Sequence, residues 1–170
     1  KDEEPPEVPL EDWSLIRDAQ GHVGWVLARM LDVDLPLDVA QYAEGQRIVG
    51  YSVMNQVQDG GNRVNQYLVL LTEPKDGLPF DYNQVRIFTW NLKRHRYETA
   101  YRERNLFGVF PVTSGTQDFG NEGVLPTFVL RVKDDQGNVI AHKYKLNGPI
   151  VRRVLEPGED RAPVRTKRKK

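Results

Sequence analysis

The chain has 170 residues, 24 basic and 24 acidic side chains and no cysteine, so disulfides, thiolate metal sites and cysteine nucleophiles are excluded. An apolar share of 39% suffices for a core, and 28% charged residues give a wet surface. No run approaches the roughly 18 consecutive apolar residues of a membrane-spanning helix.

The zero net charge hides a polarity between the ends. Residues 1–12 carry one positive and six negative side chains, and residues 159–170 carry six positive and two negative. Both ends are rich in proline and charge, so an acidic leader (1–12) and a basic tail (156–170) read as mobile and solvated. The leader lacks the apolar centre of a signal peptide, which leaves the compartment open.

The first ordered element is a hairpin. Leu15 and Arg17 alternate with Ile16 and Asp18, Gln20-Gly21 supplies the turn, and Val23, Trp25 and Val26 begin the return arm. Trp13 and Trp25 are large rings for so short a segment, and a place in a small core is the expectation for both. Residues 13–31 read W-x-x-I-R-x-x-x-G-x-x-G-W-V-x-x-x-x-L. This resembles the closing hairpin of bacterial Src-homology-3 (SH3-like) domains, with Ile16 where that pattern has Val. The resemblance implies an exported, extracytoplasmic module whose role is binding. It also implies a peptidoglycan or protein partner in the cell envelope. Trp13, Gly21, Gly24 and Trp25 carry over as scaffold only. In that family further strands precede this hairpin, whereas here the acidic leader precedes it.

Asp38 with Gln41 three residues on has the spacing of a capping box, and Gly45 offers a left-handed stop. The sequence thus predicts a short helix over 39–44, and 13–46 reads as hairpin plus linking helix. Residues 47–155 read as an antiparallel β-domain. Paired strands are expected over 48–57 and 64–72, then strands over 84–90, 97–103 and 107–112. Val85 and Ile87 should face one side, Phe88 and Trp90 the other. The Ser/Gly/Gln-rich run 114–123 has the composition of a flexible loop. Strands over 127–133 and 139–146 follow, and 150–155 closes the sheet. The fold expected is all-β: a partial SH3-like hairpin, one short helix, and an antiparallel barrel or sandwich of seven or eight strands.

No metal-ligand spacing joins His22, His95 and His142, and neither a nucleophile elbow nor a phosphate-binding glycine loop is present. The Asp32, Asp34 and Asp38 trio lacks the ligand number of a calcium loop. No cofactor, metal or catalytic residue is expected, and the chain reads as a non-enzymatic binding or scaffolding module. A hydrolase with carboxylates converging across the long loops is one alternative. The other is nucleic-acid or polyanion binding by hairpin 84–105, whose candidate surface is Trp90, Lys93, Arg94, Arg96, Tyr97 and Tyr101. The charge balance disfavours it. Residues 13–158 hold 17 basic and 16 acidic side chains, and Glu98 and Glu103 stand near enough in sequence to neutralise two arginines.

Overall fold

A computed structural model describes residues 10–155; the first nine residues of the acidic leader and the basic tail from residue 156 lie outside the described residues. The fold is all-β. Strands β1 (Trp13–Arg17) and β2 (Val23–Leu27) form a separate two-stranded ribbon. Seven more strands form one antiparallel sheet in chain order: β3 (Arg47–Asp59), β4 (Asn62–Thr72), β5 (Tyr82–Asn91), β6 (Arg96–Asp118), β7 (Val124–Lys133), β8 (Val139–Asn147) and β9 (Ile150–Val154).

The sheet folds on itself because β6 serves two partners. Its first part pairs with β5 as far as Gly108 opposite Tyr82, and its second pairs with β7 from Gly108 opposite Val132. The ladder is irregular between Val109 and Thr113, where Pro111 has no N–H to give. The two layers so formed face each other as a sandwich, and β3 and β9 remain the sheet's edges, so no barrel closes. Met54, Leu68, Leu70, Val85, Ile87 and Tyr82 from the first layer pack on Phe128, Leu130, Val132, Tyr144 and Leu146 from the second.

Strands β4 and β5 are buried on both sides, which explains their near-continuous apolar runs. Tyr67, Val69, Leu71, Phe88 and Tyr97 form a second core on the outer face of the first layer. A lid made of Leu35, helix α1 (Leu37–Ala40) and a following 3-10 turn (Gln41–Ala43) covers it. Val39, fully buried there, contributes about 1.5–3 kcal/mol of the force holding this one-turn helix down.

Several local expectations are corrected. The helix is capped by Pro36, not Asp38, and no side-chain cap forms; Gln41 Nε2 donates instead to the Asp38 carbonyl at 3.2 Å. Left-handed backbone begins one residue before Gly45, at Glu44 (φ 56°). The strands expected over 97–103 and 107–112 and the first half of the loop expected over 114–123 are one 23-residue strand. The sheet has seven strands, within the seven or eight expected. Likewise Val85 and Ile87 do face one core while Phe88 and Trp90 face the other.

Candidate binding groove

The ribbon is tied to the sheet at its base. Leu10 packs over Gly77, where a Cβ would stand only 2.8 Å from Leu10 Cδ1. The Gly77 N–H donates to Asp12 Oδ1 (3.2 Å), and the Ala28 N–H donates to the Asp12 carbonyl (2.8 Å). Arg47 reaches both Asp76 (2.6 Å) and Asp12 (3.7 Å). The guanidinium of Arg47 holds the Asp76 carboxyl below the usual carboxylate range. These bonds leave an open groove of about 540 Å³ between ribbon and sheet. Trp13, Ala28 and Leu31 form the ribbon wall, and Ile48, Phe80 and Phe110 the sheet wall.

Charged groups of both signs stand at its rim, and three of them, Arg47, Asp12 and Asp81, are already committed. Asp12 is bonded as described, and Asp81 Oδ2 accepts from the Phe110 N–H at 2.6 Å. The Thr72 hydroxyl lines the groove, buried and without a protein partner. A trough that mixes aromatic and aliphatic side chains with polar groups in about equal measure suits an extended peptide better than a small, wholly polar solute. The strand beside it, β3, is an edge strand with an unpaired side.

Trp13 and Trp25, expected as core rings, are not in a core: they are 53% and 65% exposed. The register places Leu15 opposite Trp25 and Trp13 opposite Leu27, so the ribbon turns one apolar face outward. Gly21 sits in the turn at φ 92°, the left-handed region that Gly enters without penalty. Gly24 pairs with Ile16, with open space around it.

The structure brings together only part of the basic hairpin. Trp90 and Tyr97 face each other edge-on, ring centroids 4.9 Å apart. Tyr97 is 7% exposed and donates from its hydroxyl to the Asn65 carbonyl (3.0 Å), and burial pushes its pKa up to about 12. Trp90 Nε1 donates to Asp59 Oδ2 at 2.8 Å, and His95 bonds the same oxygen at 2.6 Å. Arg94 and Arg96 share Glu98, at 3.1 and 3.3 Å, and Lys93 stands exposed at the tip.

Tyr101 belongs elsewhere. A register shift between Ile87 and Phe88 reverses the facing, so Tyr97 joins the outer core and Tyr101 the inner one. Its hydroxyl donates to Glu103 at 2.7 Å, as does that of Tyr144 at 2.9 Å, so Glu103 faces the inner core, away from Arg102 and Arg104. The packed rings of Trp90 and Tyr97 are not free to stack on a base.

Arg47, Phe80 and Phe110 were not anticipated as groove residues. They are far apart in the chain, and only the folding of the sheet against the ribbon brings them together. Among the described residues no three His, Cys, Asp or Glu are placed to hold a metal ion, and no helix is long and apolar enough to cross a membrane. Set against family models, curated proteins and solved structures, the chain matches none.

Proposed function

We propose that this chain is a non-catalytic binding or scaffolding module of an exported bacterial protein, and that its groove holds an extended peptide of a cell-envelope component. The groove between ribbon and sandwich carries this reading. It has apolar side chains in both walls, a charged rim and an edge strand alongside, and two of its acids, Asp12 and Asp81, are bonded by backbone and act as braces. The compartment and the envelope partner rest on the resemblance of residues 13–31 to the closing hairpin of SH3-like domains. The peptide belongs either to a cell-wall polymer or to an envelope protein.

Co-sedimentation with purified sacculi, and retention of proteins from an envelope extract, test this reading. The wild-type chain should be retained, and Phe110→Ala should weaken retention about tenfold, the effect of losing one well-packed aromatic contact. Equal behaviour of wild type and variant in both assays, or no retention in either, overturns the proposal.

A further inference from the structure

On the outer face of the first layer, beyond the end of the lid, three arginines meet. Arg86 on β5 stands directly opposite Arg102 on β6, and Arg104 stands opposite Gln84. Like charges opposite each other on paired strands repel, so this arrangement persists only with anions beside it. Glu44 supplies one carboxylate for all three. Its Oε2 lies 2.8 Å from Arg86, 2.7 Å from Arg102 and 3.8 Å from Arg104. Arg86 is 2% exposed and also donates to the Tyr42 carbonyl, so both its terminal nitrogens are committed to the lid, while its Nε is buried without a protein acceptor. Arg102 and Arg104 instead border a cavity of about 350 Å³ walled almost wholly by polar side chains.

The cavity contains a donor with nothing to donate to. Gln84 is 2% exposed, and its Oε1 accepts from Arg104 Nε at 3.0 Å. That bond fixes which way the amide points, and it leaves Nε2 buried without a protein acceptor. Such a group costs free energy unless something occupies it. Asn105, also in the wall, is held at φ 58°. Glu73 is the one other acid at the cavity, and it is bonded by Asn83 Nδ2 at 3.3 Å. Two guanidinium groups and two carboxylates line the cavity, and because Glu44 is shared with the buried Arg86 behind it, the cluster as a whole keeps one positive charge in excess.

We infer that this cavity binds a small oxyanion, the phosphate or carboxylate group of a polar ligand, between Arg104 and Arg102 and within reach of the Gln84 amide. Charge-assisted, forked bonding by arginine is what such a group requires. The site shares no lining residue with the groove, so it stands or falls separately from the proposed peptide recognition.

The test is calorimetric titration of the full chain with inorganic phosphate and, separately, with acetate, at constant ionic strength. Saturable binding of one oxyanion is expected. Phosphate alone would assign a phosphorylated ligand, and acetate alone a carboxylate. Arg104→Gln, at a half-exposed position that leaves the Glu44 bonds to Arg86 and Arg102 in place, should weaken binding about tenfold. Arg94→Gln, on the distant hairpin tip, should leave it unchanged. Absence of saturation by either anion overturns the inference, as does equal binding by wild type and Arg104→Gln. Equal losses in both variants overturn it too, because they would mean diffuse surface attraction.

Discussion

Gly108 shows how much one missing side chain decides. It is the residue of β6 shared between both layers, and the ring of fully buried Tyr82 lies where its Cβ would go. The Tyr82 hydroxyl donates to the Arg131 carbonyl at 2.9 Å, so the ring is pinned at both ends, and burial raises its pKa to about 12. Gly108→Ala should therefore cost roughly 1–3 kcal/mol by overpacking, read as a lower denaturation midpoint at unchanged slope. Glu44 is the second decisive residue. Its bonds to Arg86 and then Arg102 lower its pKa to about 2, from a usual value of 4.5. A carboxylate depressed on folding contributes stability above its unfolded pKa and loses it as pH falls through the folded one. Wild type should thus exceed Glu44→Gln in thermal stability at pH 6, and the gap should narrow as pH falls from 4.5 toward 2. A gap that stays constant across that window would show that Glu44 acts by shape alone. Neither residue's role was legible locally. Arg86 reads as one more surface cation in a basic hairpin, and only a lid residue 42 positions earlier makes it a buried one.

At the level of elements, local chemistry was legible where the turn needs it. The loops Asp18-Ala-Gln-Gly-His22 and Asp134-Asp-Gln-Gly-Asn138 are built alike. In each the aspartate carboxylate accepts from the backbone N–H groups two and four residues on, at 2.8–3.0 Å. In each the glycine is left-handed, at φ 92° and 85°. The side chain of the last residue also bonds the aspartate, through His22 Nδ1 (2.8 Å) or Asn138 Nδ2 (3.2 Å). The glycine of the hairpin pattern, with Asp18 three residues before it, is thus accounted for by turn geometry. Asp134→Ala should raise amide exchange at Gln136 and Asn138 roughly tenfold while leaving the Phe128 and Leu130 amides protected, and uniform protection would remove the carboxylate's role. Elements governed by distant pairing were less legible. The Ser-Gly-Thr-Gln run after Val112 has loop composition, yet β7 supplies it a ladder from Thr113 to Asp118. Asp38 has the spacing of a cap, but Pro36 starts the helix two residues earlier because Leu35 and Val39 must both reach the core.

For the molecule as a whole, the class of fold followed from alternation and turns, since each strand pairs with its neighbour in the chain. The position of the ribbon did not follow. Expecting its tryptophans in a core assumed that a ring so large must be covered, whereas the ribbon is held by Leu10, Asp12 and Arg47 at its base and leaves its apolar face open. The groove is the product of that attachment, so it has no signature in any one segment.

Strand β6 runs through both layers without interruption, which leaves no linker at which they could hinge as separate bodies. Between β6 and β7 such a molecule yields by flexing at the one irregular stretch of their ladder, from Val109 to Thr113. Phe110, on the groove wall, lies at that flexure and contacts Tyr82 with ring centroids 5.9 Å apart. A guest wedged against this ring leans on the spine of the entire sandwich, so occupancy at the rim is felt in the packing at its centre.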